Sequence, residues 1–413
     1  MRKLADIRTG NKQLIKDLNR SLVIETIRNK GPISRTDISH ILNLGLSTVT
    51  YIVDDLLNNG LVIETGEADS SGGRRPVLFE FNHKFGYTIG IKIEVNHIIF
   101  ALTDLNANIV VKHITSFPEG EKAPQVISLI TEGIKDLMSL ADISFEKLLG
   151  IGIAVSGHVN GKTGTVIRSS LLGWTNVDLS KEIEKHFNLP VYVDNDVNAY
   201  ALAELAKGYG RTHDSFICLS IGEGIGTSIV NEGKLYYGHQ GGAGEFGHTI
   251  IQVNGYLCHC GQRGCLEMYA SNKFLRKEGK LLISQFPDSA LRSSSFSFDE
   301  VYQAAALFRD PLALELLKRA GEYLGVGLIN MINSLNPETI VLVGEGMIAQ
   351  EFFLPYAIET ANRNFFAKGG YETTFYVSEL GNDAWLMGAA LLAIKHLFEP
   401  PIYKDSKAKS ISL

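Results

Sequence analysis

The chain has 413 residues, enough for two or three domains at roughly 100–200 residues per domain. Its 45% hydrophobic and 20% charged residues are typical of a globular protein and exclude a disordered or fibrous chain. The net charge of −6 argues against DNA binding over the whole surface. However, residues 1–82 carry 11 basic and 10 acidic side chains, so this part alone has a charge compatible with DNA.

The first 60 residues predict three helices. Apolar residues recur at helical spacing over Leu18–Asn29, and Gly31-Pro32 ends that helix. Ser34 is a good N-cap for a second, short helix, and Ser47 is the predicted N-cap of a third helix over Thr48–Asn59. A tight turn separates the second helix from the third. This arrangement predicts a helix-turn-helix.

Two strands and a loop rich in glycine and serine follow the helices. The strands are predicted at Leu61–Glu64 and Pro76–Phe81, and the loop at Gly66–Arg75 ends in the basic pair Arg74 and Arg75. This is the pattern of a winged helix whose wing reaches DNA. The candidate DNA contacts on the third helix are Ser47, Thr48, Thr50 and Tyr51. The alternative is a small helical interaction domain with a solvated arginine pair.

A second domain is predicted from residue 83 to 413, after a DNA-binding domain over 1–82. Its opening trio of strands is echoed later in the chain, and helix-strand alternation follows each trio. We therefore predict a duplicated α/β fold with a ligand cleft between its two lobes. The trios are Tyr87–Glu94, Ile98–Asp104 and Ile109–Ile114, then Ser215–Gly222, Gly226–Asn231 and Lys234–Gly238. The serine-rich stretch Ser284–Asp299 is expected to be a surface insertion.

Three of the four cysteines, Cys258, Cys260 and Cys265, lie close together, and His248 precedes them. Three thiolates and one imidazole complete a closed tetrahedral zinc site, which holds structure and does not activate water. We therefore predict one structural zinc per chain, because disulfides are not expected in a reducing cytosol. Buried free thiols with a satisfied core histidine, or a redox switch, are the alternatives.

Five polar residues stand where the apolar pattern breaks at strand and loop ends. They are Asn195, Asp196, Glu245, His248 and Glu267. Carboxylates and amides recognise neutral sugars because each can hold two hydroxyls, and buried polar groups need partners. The set is therefore compatible with a sugar site. Taken singly, each acid is better explained as a helix cap or a solvated charge.

Three motifs carry a family resemblance: Ser71-Gly72-Gly73-Arg74-Arg75-Pro76, Gly244-Glu245-Phe246-Gly247-His248 and Cys258-x-Cys260-Gly261-x-x-Gly264-Cys265-x-Glu267. With them the whole chain resembles the ROK family (repressors, open reading frames and kinases), especially the xylose repressors of Gram-positive bacteria. The resemblance implies a winged helix-turn-helix followed by a duplicated actin-like (ribonuclease H-like) sugar-kinase-type fold. It also implies a Cys₃His zinc and a sugar held by the five polar residues. His248 would then serve zinc with one nitrogen and sugar with the other.

In the kinases of that family the residue matching Asp196 is the base that deprotonates a sugar hydroxyl. Those kinases hold nucleotide phosphates with an Asp-x-Gly-Gly-Thr loop, for which this chain has Lys92-Ile93-Glu94-Val95-Asn96. A second phosphate loop, Gly222-Glu223-Gly224-Ile225-Gly226, has Glu223 in place of a threonine. We therefore expect no catalysis, and we expect the glycines of the second loop to be retained for turn geometry.

The sequence thus predicts a sugar-responsive repressor that binds operator DNA as a homodimer or higher homo-oligomer. Xylose or another aldose is the expected effector. With no apolar run long enough to cross a bilayer and no secretion signal, the protein is expected in the cytoplasm, away from membranes. The rivals are a working ROK-family sugar kinase with an appended DNA-binding domain, and a constitutive DNA-binding protein whose second domain only dimerises.

Overall fold

The computed structural model describes residues 12–67, 75–363 and 372–398. Its N-terminal part contains three helices and a small sheet of strand order β1-β3-β2 with antiparallel pairing. These elements are α1 (Lys12–Lys30), β1 (Ile33–Ser34), α2 (Arg35–Leu42), α3 (Leu46–Asn58), β2 (Val62–Glu67) and β3 (Val77–Phe81). The predicted winged helix-turn-helix is therefore confirmed.

Two details of this part differ from the sequence prediction. Ser34 caps α2 as predicted, since its side chain accepts from the Asp37 N–H. Ser47 does not cap α3, because the Gly45 carbonyl already accepts from the N–H groups of Thr48 and Val49 and the helix begins at Leu46. Glycine and serine are both competent N-caps, so the sequence alone does not separate them. In addition, β1 had no predicted counterpart.

The rest of the described chain alternates strands and helices. Its first elements are β4 (Tyr87–Ile93), β5 (His97–Asp104), β6 (Ile109–Ser116), α4 (Ala123–Ala141), β7 (Leu148–Val155), β8 (His158–Asn160), β9 (Thr165–Ser169), β10 (Trp174–Val177), α5 (Leu179–Phe187), β11 (Val191–Asn195) and α6 (Asp196–Lys207). The later ones are β12 (Phe216–Ile221), β13 (Ile225–Asn231), β14 (Lys234–Leu235), α7 (Glu267–Ala270), α8 (Asn272–Leu282), α9 (Phe298–Phe308), α10 (Pro311–Leu335), β15 (Thr339–Val343), α11 (Gln350–Ala361), β16 (Thr374–Val377) and α12 (Ala384–Phe398).

Two five-stranded sheets repeat one topology. The first has the order β11-β7-β4-β5-β6, and the second, read in the same sense, has the order β16-β15-β12-β13-β14. Each opens with an antiparallel pair, β4 with β5 and β12 with β13. In the second sheet, β15 runs parallel to both β12 and β16. The predicted duplication is confirmed.

The chain divides into two compact units. The described residues of the first lie within 1–154, 178–193 and 389–413, and those of the second within 155–177 and 194–388. The second unit contains all five predicted sugar residues and all three predicted cysteine ligands. The predicted domain boundary at residue 82 stays a prediction.

The stretch Ser284–Asp299 is not a surface insertion. Leu291, Phe296 and Phe298 are only 2%, 4% and 2% exposed and belong to the core of the second unit. The serines here act as helix caps: the Ser297 hydroxyl accepts from the Glu300 N–H at the start of α9. Serine enrichment marked two capped helix starts, not a solvated loop.

Within the described ranges 12–67, 75–363 and 372–398, no helix combines the length and the apolar character needed to span a bilayer.

Candidate sugar and metal site

The cysteine cluster lies in the second unit, on the loop between β14 and α7. The ligand atoms of His248, Cys258, Cys260 and Cys265 all lie within 4.8 Å of one another. The Cys258 Sγ is 3.6 Å from the His248 Nδ1, and the Cys260 Sγ is 3.6 Å from the Cys265 Sγ. All three cysteines are free thiols in the structure. The predicted ligand set is therefore assembled.

Backbone geometry explains why the loop closes on itself. Gly264 has a φ of +85°, and a Cβ there would lie 1.8 Å from the Gln252 carbonyl oxygen. Only glycine fits such a position. The Cys258 N–H donates to the Gln262 carbonyl at 2.8 Å, which completes a tight turn around Cys260. Glycine at this point lets the sulfurs converge.

The donor set fits a tetrahedral zinc ion. With Zn–S bonds of about 2.3 Å, the sulfurs of such a site are about 3.8 Å apart. The observed separation of 3.6 Å between Cys260 and Cys265 is close to that value. Burial raises the pKa of the Cys258 and Cys265 thiols. A divalent cation offsets that penalty because it stabilises the thiolate form.

Glu267 is an acid of the predicted sugar set that is buried and held by two neighbouring side chains. It begins α7 and is 5% exposed. Its Oε1 accepts from Lys273 Nζ at 2.8 Å and lies 3.0 Å from His259 Nδ1. Burial opposes its ionisation, but the His259 hydrogen bond and the Lys273 charge outweigh burial and lower the pKa of Glu267 to about 2. The carboxylate is therefore ionised and fixed in place.

His248 links the metal ligands to a second acid. Its Nδ1 faces the Cys258 sulfur, and its Nε2 lies 4.0 Å from Glu245 Oε2. Glu245 immediately precedes the short 3₁₀ turn Phe246–His248, and its side chain is 54% exposed. One histidine thus presents one ring nitrogen to the sulfurs and the other to a carboxylate open to solvent.

Asn195 and Asp196 lie at the start of α6. The Asn195 Oδ1 accepts from the Val197 and Asn198 N–H groups, and its Nδ2 donates to the Gly157 carbonyl at 3.0 Å. Asn195 is therefore the N-cap of α6. One amide hydrogen of Asn195 is left for any further role. Asp196 is the first residue of α6 and is half-buried.

Two residues that hold Glu267 had no predicted role, namely His259 and Lys273. His259 lies between Cys258 and Cys260, so its proximity to the cluster could have been found from the sequence. Lys273 comes six residues after Glu267, across the break between α7 and α8 at Ser271. The spacing of one continuous helix does not predict their contact, because the helix is interrupted.

Two acidic side chains, Glu223 and Glu345, lie at the loop Gly222–Gly226. Glu223 makes a bidentate ion pair with Arg276 at 2.6 and 2.8 Å. The Glu223 N–H donates to Glu345 Oε1 at 2.6 Å. A backbone N–H of this loop, the kind of group that cradles phosphate, therefore already binds a carboxylate of the protein. Glu345 follows β15 and was not predicted.

The sequence suggested that the glycines of this loop serve turn geometry. The structure instead indicates that they leave space for neighbouring side chains. None of Gly222, Gly224 and Gly226 has a positive φ. A Cβ on Gly222 would lie 2.2 Å from the Glu345 carboxyl carbon, and one on Gly224 would lie 2.4 Å from Glu267 Oε2. Gly224 therefore gives room to the buried acid of the predicted sugar set.

The stretch predicted to replace the first phosphate loop lies in the first unit, at the end of β4. There Lys92 Nζ and Glu94 Oε1 form an ion pair at 2.5 Å. The lysine side chain is 12% exposed and the glutamate side chain 33%. The ammonium group of Lys92 is therefore paired with the Glu94 carboxylate.

The predicted DNA contacts on α3 are accessible. Tyr51 is 69% exposed, Ser47 and Thr48 are exposed, and Thr50 is half-buried. The opposite face of α3 packs into the core through Val49, Ile52, Val53 and Leu56. Arg75 is exposed, and Arg74 lies outside the described residues.

Comparisons with known families match both parts of the chain. The sequence model of the ROK family matches residues 88–396, and a winged helix-turn-helix DNA-binding model matches residues 16–63. A protein of Caldicellulosiruptor bescii named xylose repressor is 34% identical over 399 residues, which cover 95% of this chain and 100% of the relative.

Two solved structures have a fold similar to that of this chain. A ROK family transcriptional regulator, described as a homologue of the Escherichia coli MLC protein, has a TM-score of 0.82 and 29% identity. The match covers 94% of this chain and 98% of that one. A ROK family glucokinase from Streptomyces griseus, solved with glucose and AMPPNP, has a TM-score of 0.67 and 28% identity, over 75% of this chain and 100% of the kinase.

Proposed function

The chain belongs to the ROK family, and we propose that it is a sugar-responsive, DNA-binding transcriptional repressor. One observation carries the proposal: His248 presents one nitrogen to the cysteine cluster and the other to Glu245, and a ring nitrogen of His248 lies within 4.8 Å of a carboxylate oxygen of the fixed, ionised Glu267. That arrangement suits recognition of neutral hydroxyls by oriented acceptors. The proposed sugar contacts are Asn195, Asp196, Glu245, His248 and Glu267.

Operator DNA is the proposed macromolecular partner. Ser47, Thr48, Thr50 and Tyr51 are proposed to reach base edges and phosphates from α3, with Arg74 and Arg75 on the wing. Support comes from the exposure of α3 on this side and its burial on the other. We propose a homodimer or higher homo-oligomer, because paired winged helices match paired half-sites. A repressor with this partner acts in the cytoplasm.

We propose one structural zinc ion per chain, held by His248, Cys258, Cys260 and Cys265. When bound, the ion fixes the thiolates and the Nδ1 of His248. The role of this chain's own residues is positional: with Nδ1 committed, the Nε2 of His248 is free to donate toward Glu245 or a sugar hydroxyl. Glu267, two residues after Cys265, is held by the same loop.

We propose that the protein does not catalyse phosphoryl transfer. Phosphoryl transfer needs an open, cation-assisted cradle for the nucleotide phosphates. Here Glu345 takes the Glu223 N–H, Arg276 is paired with Glu223, and Lys92 is paired with Glu94. We infer from these contacts that too few free hydrogen-bond donors remain for nucleotide phosphates. Asp196 is therefore proposed to contact the sugar and not to act as a catalytic base.

The effector is proposed to be an aldopentose or aldohexose, with xylose tested first because the relative from Caldicellulosiruptor bescii is named a xylose repressor. A thermal-shift screen of the full chain against xylose, glucose and other aldoses is the test. A sugar at 100 times its dissociation constant adds about 2.7 kcal/mol to the free energy of unfolding. We expect at least one aldose to raise the melting temperature and no ATP turnover with that sugar in a coupled assay.

Two results would contradict the proposal. Sugar-dependent ATP turnover that disappears in Asp196→Asn would identify a working kinase with an appended DNA-binding domain. Absence of stabilisation by every sugar would favour a constitutive DNA-binding protein whose second domain only dimerises.

A further inference from the structure

The loop at residues 237–244, called the linking loop below, leads from the end of β14 directly into Glu245. It lies in the second unit, as do Asn195 and Asp196 at the start of α6. The proposed sugar contacts therefore come from segments that are widely separated in the sequence. Any contact between the linking loop and the start of α6 joins two parts of that set.

The first such contact is a hydrogen bond to a buried carboxyl group. Tyr237 begins the linking loop, and its hydroxyl donates to Asp194 Oδ2 at 2.8 Å. Asp194 directly precedes Asn195 and is 3% exposed. The two bonded residues are 43 positions apart in the chain. The bond therefore ties the beginning of the linking loop to the residue next to Asn195.

Asp194 is itself held by the start of α6. Its Oδ1 accepts from the Asn195 N–H at 2.7 Å and from Asn198 Nδ2 at 2.9 Å. Asn198 is 8% exposed. A buried carboxyl group needs such partners, and these donors also fix its orientation. The Tyr237 hydroxyl thus bonds to a group that the start of α6 holds in place.

A second bridge between the same two segments runs through two neighbouring residues at the start of β8. Asn195 Nδ2 donates to the Gly157 carbonyl at 3.0 Å. The ring of His158, the next residue, has its Nε2 3.0 Å from the Gln240 carbonyl oxygen. The middle of the linking loop is therefore connected to the side chain of Asn195.

The end of the linking loop lies against the backbone of β13. Gly244 has a φ of +91°, and a Cβ there would lie 2.3 Å from the Thr227 carbonyl oxygen. Only glycine fits such a position. Glu245 follows directly, so the path of the loop determines where this acid is presented. The loop is fixed at its beginning, its middle and its end.

We propose that Tyr237 is a positioning residue for sugar recognition, acting through its bond to Asp194. The bond fixes the spacing between Glu245 and the start of α6 before a sugar arrives. Acceptors that are already in place avoid the entropy cost of being ordered by the ligand, which raises affinity. This inference rests on the proposed function, because it concerns the same sugar contacts.

The first test removes the hydroxyl and keeps the ring. D-Xylose and D-glucose are each titrated calorimetrically into the full chain and into Tyr237→Phe. We expect binding to weaken about fivefold, because a single hydrogen bond typically contributes that much. Tyr236→Phe is the matched control, since Tyr236 is the adjacent residue and is 58% exposed, and it keeps wild-type affinity. Circular dichroism and sugar-free operator binding show that both variants are folded.

A double-mutant cycle separates positioning from a purely structural role. If Tyr237 acts through the start of α6, its loss costs less once Asp196→Asn has removed an acceptor there. We expect Tyr237→Phe to weaken sugar binding about twofold or less in the Asp196→Asn background, against about fivefold in the wild type. Equal losses in both backgrounds would mean that the hydroxyl supports the fold alone.

Hydrogen exchange measures the contact without any sugar. Tyr237→Phe is expected to speed the exchange of the backbone amides of residues 237–244 about fivefold or more, because the loop opens more often when one anchor is lost. Tyr236→Phe should exchange at the wild-type rate over the same residues.

The inference is overturned if Tyr237→Phe keeps wild-type sugar affinity, if its effect is undiminished beside Asp196→Asn, or if exchange of the linking loop is unchanged. Failure of every aldose to bind the wild type contradicts the proposed function. Binding to the wild type with an unaffected Tyr237→Phe overturns only the role of Tyr237. The two failures are therefore distinguishable.

Discussion

Two acids of the second unit, Glu267 and Glu345, each occupy space left by a glycine of the loop Gly222–Gly226. Beside the cysteine cluster, the buried carboxylate of Glu267 is balanced by Lys273 and has its Oε2 in the space left by Gly224. At the Gly222 loop, Glu345 occupies the space left by Gly222 and takes a backbone N–H. Glycine makes room for an acid in both places. The first acid is the proposed acceptor for sugar hydroxyls, and the second accepts from a backbone N–H of the loop.

The largest expected effect concerns the metal side of this comparison. Cys265→Ser should abolish zinc binding and lower the free energy of unfolding by about 3 kcal/mol or more, because a metal ligand and the closure of its loop are lost together. Elemental analysis and denaturant unfolding measure the two quantities. The control is Cys218→Ala, a fully buried thiol outside the cluster, which should keep one zinc per chain.

The account of the metal site is wrong if freshly purified, unchelated wild-type protein contains no zinc. It is equally wrong if Cys265→Ser retains a full equivalent.

The next effect isolates the acid that the loop presents. Glu267→Gln should remove the sugar-induced stabilisation, about 2.7 kcal/mol at 100 times the dissociation constant, because the amide replaces one acceptor oxygen with a donor. Sugar-free DNA binding should be unchanged. Thermal shift with the effector and an operator titration test both statements, with Glu322→Gln, which changes an exposed carboxylate on α10, as the control. An unaltered sugar response in Glu267→Gln would remove this residue from the sugar site.

A third prediction separates both loops from DNA recognition. Tyr51→Ala should reduce the discrimination between operator and random DNA by roughly 1–3 kcal/mol if a base contact is lost. It should leave sugar binding as in the wild type. Tyr236→Ala is a matched control, since Tyr236 is 58% exposed but lies in the second unit. Equal losses on operator and random DNA would make Tyr51 a backbone contact and not a specificity residue.

The smallest effect tests the role assigned to glycine. Gly224→Ala should weaken sugar binding about fivefold, or about 1 kcal/mol, because the added Cβ displaces the Glu267 carboxylate. A Cβ at Gly45 would meet nothing closer than 3.9 Å, so Gly45→Ala should leave sugar affinity unchanged. Full sugar affinity in Gly224→Ala would show that Gly224 is not needed to make room for the Glu267 carboxylate.

Local patterns predicted much of the fold and part of the site. Helical periodicity and Ser34 gave the second helix, and the spacing Cys258-x-Cys260 with Cys265 gave a ligand set that the structure assembles. The duplicated sheets followed from repeated strand trios, because each trio is contiguous in sequence. These features depend on short-range physics, which a single sequence displays.

Long-range features were not predictable in the same way. Glu345 meets the Glu223 N–H across 122 residues, and no spacing rule links them. The serine-rich stretch misled because serine serves equally as a helix cap and as a loop residue, and only burial of Phe296 and Phe298 decides between them. The same applies to Gly224, whose neighbour Glu267 comes from a distant segment.

The central claim is that sugar and operator are linked ligands of one protein, and an operator titration at fixed salt tests it most directly. A ligand shifts the affinity for DNA only through a difference in its affinity for the two states, with typical couplings of about 1–3 kcal/mol. We predict that a saturating aldose weakens operator binding of the full chain by about tenfold, and that Glu267→Gln abolishes this change. Superimposable titration curves with and without a sugar already shown to bind would contradict the account.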